Sequence, residues 1–159
     1  MPETEYRETS GSLCREHLLS IGAASLLIFP PKGRKKSQAA EVSDFIGQSV
    51  NGHKWIHLCM AYEASHLVGY KLGRSNDPRT FESWMGGVLP AARNRGIATE
   101  LSRRQEEWCR SQGFRFLTTE TSHDNKAMLI LNLKQGFHIA GTYLDRSTNM
   151  KVVLQKSLN

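Results

Sequence analysis

The six residues RNRGIA, at positions 93–98, combine two arginines, a glycine and a small residue directly after a predicted strand. A helix that begins at Gly96 leaves its first backbone amides without intrahelical acceptors, at the positive end of the helix dipole. Gly96 and the small Ala98 let an anion approach the main chain closely, while Arg93 and Arg95 add positive charge at the rim. Residues of these types in this order are suited to binding a phosphate or a pyrophosphate.

Other well-known phosphate loops do not fit this segment. The sequence contains neither the P-loop pattern nor the GxGxxG fingerprint of dinucleotide-binding folds. Taken alone, the spacing Arg-x-x-Gly-x-Ala is equally compatible with a basic turn that only caps a helix.

Two separated motifs resemble those of the GNAT superfamily of N-acetyltransferases. The segment GGVLPAARNRGIA is similar to the acetyl-CoA motif of that family, whose core is Gln/Arg-x-x-Gly-x-Gly/Ala; Arg93, Gly96 and Ala98 fill the three defining places. The segment NKAMLILNLKQGF, at 125–137, resembles the family's last helix and the start of the following strand. The resemblance covers roughly residues 40–156. Before that, only EYRET could supply the strand with which the family usually opens.

The resemblance implies a site for acetyl-CoA that is built largely from backbone groups. In this family the strand before the phosphate turn parts from its neighbour at a bulge, and the pantetheine arm pairs with the free edge. Val88 would bind the pantetheine, and the Gly86 amide would face the thioester oxygen and stabilise the oxyanion of the tetrahedral intermediate. Gly86 and Gly87 are also typical of a bulge or a close backbone approach, so they could instead only relieve crowding beside Trp84.

The resemblance implies further cofactor contacts from the turn and the last helix. The pyrophosphate would lie on the amides of the turn, at Arg93, Asn94, Arg95, Gly96, Ile97, Ala98 and Thr99. Asn125 would either hydrogen-bond the cofactor arm or cap the helix alongside Ser122 or Asp124. Lys134 would either meet a cofactor phosphate or lie in solvent.

Acetyl transfer to an amine also requires a base, because a protonated amine is not a nucleophile. Glu82 is the best candidate. It lies four residues before Gly86, so strand alternation would put both on one face with Trp84. Some family members carry a glutamate base at this offset, although an exposed strand carboxylate without a catalytic role would fit equally. Glu63 and Glu120 are weaker candidates.

The sequence assigns no acid for the departing thiolate. Many family members use a tyrosine on the last helix, but the matching residue here is Asn132. An amide is not a useful acid, although it can hydrogen-bond sulfur, so Asn132 is expected only as a cofactor contact. Tyr143 or Tyr70 could act from another element, or water could supply the proton, since a thiol pKa near ~8.5 makes the thiolate an acceptable leaving group.

Hydrophobic periodicity and turn chemistry predict the elements that position these residues. Helices are predicted over residues 12–28, 39–50, 96–112 and 126–135. Strands are predicted over residues 54–63, 67–73, 80–89, 114–121, 137–144 and 150–158. This order indicates an α/β fold of the α+β type, with a mixed, mostly antiparallel sheet flanked by helices; the resemblance adds splayed central strands. We predict one GNAT-like domain over residues 1–159, with an atypical part at 1–38.

The composition is ordinary for a soluble globular protein, with 159 residues, 39% hydrophobic and 23% charged. No apolar run approaches the ~20 residues that span a bilayer, and the first residues do not resemble a signal peptide. A cytoplasmic location without a membrane partner is therefore expected. Cys14, Cys59 and Cys109 lack disulfide or metal spacing and are expected to be buried structural thiols. The histidines show no ligand pattern either, so no metal is expected.

The net charge of +6 arises wholly after residue 50 and suits a polyanionic partner. The basic cluster of Lys32, Arg34, Lys35 and Lys36 could be a nucleic-acid patch, although a solvated loop is favoured.

We predict an N-acetyltransferase that moves an acetyl group from acetyl-CoA to a primary amine by direct attack in a ternary complex.

Two alternatives remain open: a non-catalytic acyl-CoA-binding sensor or regulatory module, and, less favoured, a nucleic-acid-binding protein, for which no recognition motif is present. The sequence does not identify the acceptor, which could be a small-molecule amine or a protein amine. The oligomeric state is also open, although homodimers are frequent among such proteins.

Overall fold

The computed structural model describes residues 1–30 and 37–159. The described helices are α1 (Arg15–Ile28), α2 (Ala39–Val50), α3 (Ile97–Ser111) and α4 (Lys126–Lys134). The described strands are β1 (Thr4–Ser10), β2 (Trp55–Glu63), β3 (His66–Ser75), β4 (Thr80–Val88), β5 (Phe116–Ser122), β6 (His138–Leu144) and β7 (Met150–Ser157). A short 3-10 turn, Pro90–Ala92, follows β4. The predicted basic cluster within positions 32–36 lies outside the described residues.

All seven strands form one sheet in the order β1-β2-β3-β4-β5-β7-β6. Neighbouring strands are antiparallel except β4 and β5, which are parallel. The first four strands form a meander, and EYRET lies in β1, which pairs with β2 along its whole length. The predicted fold class, a mixed and mostly antiparallel sheet flanked by helices, is confirmed.

The two central strands, β4 and β5, pair over only three residues. Thr80, Phe81 and Glu82 pair with residues 116–118, and one more contact follows, from the Thr119 hydroxyl to the Ser83 carbonyl at 3.0 Å. Beyond this point β4 continues against β3, and β5 continues against β7. The strands therefore splay apart, as the resemblance implied, and a gap opens at the carboxyl end of β4.

A bulge in β4 corrects the prediction that Glu82 and Gly86 share a face. Leu72 pairs with Met85 but the next residue, Gly73, pairs with Ser83, so Trp84 is an extra residue in β4. The bulge therefore precedes the two glycines. Glu82 pairs with Arg74 and Gly86 with Lys71. Because Lys71 and Arg74 are three residues apart on β3, these two pairs point to opposite faces of the sheet.

Helices cover both faces of the meander and hold β4 in place. On one face α1 and α2 pack on the sheet through a buried cluster that includes Ile21, Ile46, Leu58, Tyr70 and Leu72. On the opposite face α3 packs through a second cluster: Ile97 and Leu101 contact Cys59, Ala61, Val68, Val88 and Ala92. The end of β4 is therefore anchored directly to the first turn of α3.

The cysteines differ from one another, contrary to the expectation that all three are buried. Cys59 and Cys109 are fully buried, and burial raises the pKa of each thiol to about 12, so neither is a ready nucleophile. Cys14 is exposed and caps α1, where its Sγ atom accepts the His17 amide at 3.5 Å.

Residues 1–30 and 37–159 contain neither a candidate membrane-spanning helix nor a candidate metal-binding cluster. None of the helices in those ranges has the length and apolar character needed to cross a membrane. No three His, Cys, Asp or Glu side chains within them are grouped so that they could hold a metal ion.

Candidate functional site

The turn before α3 has the geometry that the motif predicts. Gly96 is the N-cap residue, with a φ of 80° in the left-handed region, and no side chain caps the helix. The first intrahelical hydrogen bond runs from the Glu100 amide to the Gly96 carbonyl at 3.0 Å. The amides of Ile97, Ala98 and Thr99 therefore have no acceptor within the helix and remain available to an anion. A side chain at Gly96 would point into open space.

The two arginines of the turn already bind protein groups, so they add less free charge at the rim than the sequence suggests. Arg95 forms a two-pronged ion pair with Glu63 at the end of β2, and this contact lowers the pKa of Glu63. Arg93 donates through its Nε atom to the Val88 carbonyl at 3.1 Å. Both side chains thereby brace the turn against the sheet and leave the backbone amides as the principal donors.

A narrow cleft of about 60 Å³ begins beside this turn and runs between α3 and α4. Its walls come from β3, the end of β4 and both helices. The lining residues are Tyr70, Lys71, Gly86, Gly87, Val88, Ala98, Leu101, Ser102, Met128, Leu131, Asn132 and Gln135. The cleft thus brings together four residues that the sequence predicts to contact acetyl-CoA: Gly86, Val88, Ala98 and Asn132.

The exposed edge of β4 in this cleft carries free backbone groups. The Leu89 amide donates to the Val68 carbonyl on β3 at 2.8 Å. Because successive residues of a strand direct their polar groups to opposite sides, Val88 and Gly86 direct theirs away from β3, into the gap. The Val88 carbonyl there already accepts the Arg93 side chain, so the free groups of this edge are the amides of both residues and the Gly86 carbonyl. An extended amide-containing chain such as a pantetheine arm could pair with this edge as an added strand.

The two glycines before Val88 allow close packing of the backbone. A Cβ atom at Gly86 would lie 2.6 Å from the Tyr70 carbonyl oxygen, and one at Gly87 would lie 2.5 Å from Ile28 Cγ2. The sequence predicted either a bulge or a close backbone approach at Gly86 and Gly87, and the structure shows the close approach.

Glu82 lies where β4 and β5 begin to part, on the face covered by α1 and α2. Arg74 donates through Nε to Glu82 Oε2 at 3.1 Å, stacks 4.2 Å from the Trp84 ring centre, and donates to the Ser49 carbonyl at 2.5 Å. Glu82 also lines a separate cavity of about 380 Å³ with His53, Arg74, Ser75, Asn76, Asp77, Thr80 and Thr118. Its Oε1 atom accepts no hydrogen bond from the described residues.

The other candidate acids and bases are less suited to catalysis. Glu63 is tied to Arg95, which makes it a weaker base. Glu120 accepts the Tyr143 hydroxyl at 2.6 Å, and this hydrogen bond raises the pKa of Tyr143 to about 12. The Tyr70 hydroxyl lies 2.6 Å from Ser25 on α1, away from the cleft, and burial raises its pKa to about 12.

The three candidates associated with α4 occupy different environments. Asn125 caps the helix, with its Oδ1 atom accepting the Met128 amide at 3.3 Å. Asn132 is buried and lines the cleft, whereas Lys134 is exposed near the end of the helix.

Sequence reasoning did not identify Arg74 or Lys71. Arg74 belongs to no motif, and only the register of the hairpin that pairs it with Glu82 reveals its role. Lys71 is a single lysine in a strand, and only the cross-strand pairing brings it to the cleft.

The splayed parallel strand pair and the bare helix N-terminus are features that the resemblance to the GNAT acetyltransferases implied. The sequence model of the Acetyltransferase (GNAT) family matches residues 22–137, so this chain belongs to that family. No curated protein sequence matches the chain.

Solved structures share the fold at low sequence identity. An acetyltransferase of the GNAT family from Desulfovibrio desulfuricans superposes with a TM-score of 0.76 at 17% identity, covering 99% of this chain and 100% of that one. The ribosomal-protein-S18-alanine N-acetyltransferase from Escherichia coli superposes with a TM-score of 0.74 at 11% identity, covering 96% of this chain and 95% of that one. A GNAT family acetyltransferase from Elizabethkingia anophelis, solved with acetyl-CoA bound, superposes with a TM-score of 0.64 at 18% identity, covering 97% of each chain.

Proposed function

We propose that this protein is an acetyl-CoA-dependent N-acetyltransferase in which a primary amine attacks the thioester directly within a ternary complex. The observation that carries the proposal is the gap between β4 and β5 beyond Glu82, which opens beside the bare N-terminus of α3. Family membership supports an acyltransferase, and the solved neighbour with acetyl-CoA bound supports the choice of donor.

The residues of the cleft suit coenzyme A. The amides of Ile97 to Thr99 would hold the diphosphate, because helix N-termini bind anions through their unpaired N–H groups. Val88 would pair with the pantetheine arm, and the Gly86 amide would donate to the oxyanion as it develops. When bound, acetyl-CoA supplies an acyl group activated for attack by an amine. Asn132 would hydrogen-bond the cofactor near its sulfur.

Glu82 is the proposed base. Arg74 binds only one of its carboxylate oxygens, so the other can accept a proton from the amine, directly or through water. The acceptor would approach from the α1 and α2 face, where Glu82 lines its cavity, while the cofactor occupies the cleft between α3 and α4. Glu82 and Gly86 face opposite sides of the sheet, so the acceptor and the cofactor would bind from opposite sides and could be bound together.

Release of coenzyme A from a panel of amines tests this proposal. The panel includes small amines, polyamines and peptides with free N-termini or lysines, because the acceptor is proposed only as a small-molecule or protein amine. For an accepted amine, Glu82→Gln should lower kcat/KM at neutral pH by about 10²-fold to 10⁴-fold, the usual contribution of a general base. Glu120→Gln, on the neighbouring strand, is the matched control and should retain activity. A fully active Glu82→Gln enzyme would exclude Glu82 as the base.

A second candidate function is a regulatory module that binds acyl-CoA without catalysis, favoured by Asn132 at the position of the family's usual tyrosine. Such a protein would bind acetyl-CoA in calorimetry yet release coenzyme A with no amine of the panel.

A further inference from the structure

Lys71 is the one lysine among the cleft-lining residues. It lies in the middle of β3 and pairs with Gly86, the residue proposed to bind the thioester oxygen. Among residues 1–30 and 37–159 no carboxylate forms an ion pair with it and no group hydrogen-bonds its ammonium. The cleft that would hold the acetyl group is therefore lined by a lysine whose amine has no ion-pair or hydrogen-bond partner among those residues.

The side chain of Lys71 packs directly against Gly86. A Cβ atom placed on Gly86 would lie 3.0 Å from Lys71 Cα and 3.4 Å from Lys71 Cγ. A larger residue on β4 would press on the aliphatic part of Lys71, whereas glycine leaves that part room beside the cleft. The same glycine that frees its amide for the thioester thus also accommodates the lysine.

The surroundings of Lys71 make its neutral form easier to reach than that of an exposed lysine. Burial lowers the pKa of Lys71, and this effect outweighs the opposing influence of Glu106 and Cys109 on α3 and of Cys59 on β2. Glu106 is itself engaged by Lys156 and Arg110. The α4 residues that line the cleft carry no charge. A neutral lysine is a nucleophile, whereas an ammonium ion is not.

We propose that Lys71 is itself an acetyl acceptor, modified by the acetyl-CoA that binds in its own cleft. This inference rests on the proposed function, because it needs the thioester seated at Gly86. The lone pair of Lys71 Nζ attacks the thioester carbonyl carbon, a C–N bond forms, and the C–S bond breaks. The proton lost by the nitrogen passes to the departing thiolate, so the products are acetyl-lysine and free coenzyme A.

Mass spectrometry of the intact protein after incubation with acetyl-CoA at neutral pH tests this inference without any external amine. After digestion, the acetylated fraction is followed at Lys71 and at Lys54, which is exposed immediately before β2. We expect Lys71 to be modified at least about tenfold faster than Lys54, because a bound reactant has a high effective concentration. Excess coenzyme A should suppress the reaction at Lys71 but not at Lys54.

Three comparisons make the result decisive. Acetyl phosphate, a donor without the coenzyme, should acetylate Lys71 no faster than Lys54. Acetyl-CoA should likewise show no preference for Lys71 when the protein is unfolded in urea. Lys71→Met keeps an unbranched side chain of similar length without the amine, and should still bind acetyl-CoA in calorimetry while giving no acetylation at that position. If acetyl-CoA binds the wild type but Lys71 is modified no faster than Lys54, or equally well by acetyl phosphate, the inference is wrong and the proposed function stands. If acetyl-CoA does not bind, both are wrong.

Discussion

Replacing Gly96 with valine tests whether the start of α3 binds the cofactor diphosphate. Gly96 has a φ of 80°, which a β-branched residue adopts only with strain, and nothing lies within 4 Å of the added Cβ. The valine side chain would therefore meet no protein atom at its Cβ but would project beside the amides of residues 97–99. Any loss of affinity would then come from obstruction of those amides.

The expected magnitudes follow from these two effects. The left-handed conformation should cost about 1–2 kcal/mol of the free energy of unfolding. A hydrogen bond to a charged group contributes about 1.5–3 kcal/mol, so losing even one contact to the diphosphate should weaken binding by roughly 10-fold to 150-fold. Calorimetric titration with coenzyme A measures the affinity, and urea denaturation measures the stability.

Gly113 supplies a matched control at the other end of the same helix. Its φ is 86° and its Cβ would likewise meet nothing within 4 Å. Gly113→Val should therefore lose a similar amount of stability while keeping the affinity for coenzyme A. Equal affinities in Gly96→Val and the wild type would refute the placement of the diphosphate. Equal losses of affinity in both variants would trace the effect to general destabilisation of α3 instead.

Two further predictions concern stability. Gly73→Ala should lower the free energy of unfolding by about 1–3 kcal/mol in urea, because the new Cβ would lie 2.1 Å from Phe81 Cε1 in the core; a loss below about 0.5 kcal/mol, the usual range for surface changes, would contradict the packing. Hydrogen bonds from Arg103 lower the pKa of Glu100 from 4.5 to about 2, so this carboxylate stabilises the fold above its ordinary pKa and loses that effect as the pH falls towards 2. Glu100→Gln should therefore cost up to about 1 kcal/mol at pH 7, after allowing for solvent screening. That difference should shrink as the pH is lowered from about 5 to about 3, and urea titrations that show a constant difference would exclude the ion pair as its source.

Elements with strong local signals were predicted closely. The helical period after Gly96 and the glycine at 113 fix both ends of α3, which spans Ile97–Ser111. β1 had a much weaker signal, because no residue in TEYRETS is fully buried. The strand lies at the edge of the sheet and owes its position to pairing with β2, which a single segment of sequence does not reveal.

The face of Glu82 could not be predicted, because it depends on the register between two strands. Strict alternation puts Glu82 and Gly86 together, but the extra residue at Trp84 separates them. The partners of the charged groups were hidden for a similar reason. Arg74 reaches Glu82 across a hairpin, and Arg95 reaches Glu63 on a strand more than thirty positions earlier.

The two halves of the candidate site therefore differ in how far sequence can define them. The cofactor half depends on backbone amides, and the conformations that free those amides need glycine and small residues at fixed local spacing, as at Gly96 and Ala98. The acceptor half depends on side chains such as Glu82 and Arg74, whose arrangement is set by strand register and by packing against α2. A motif can encode the first half but not the second, which is why the donor is proposed by name and the acceptor only as an amine.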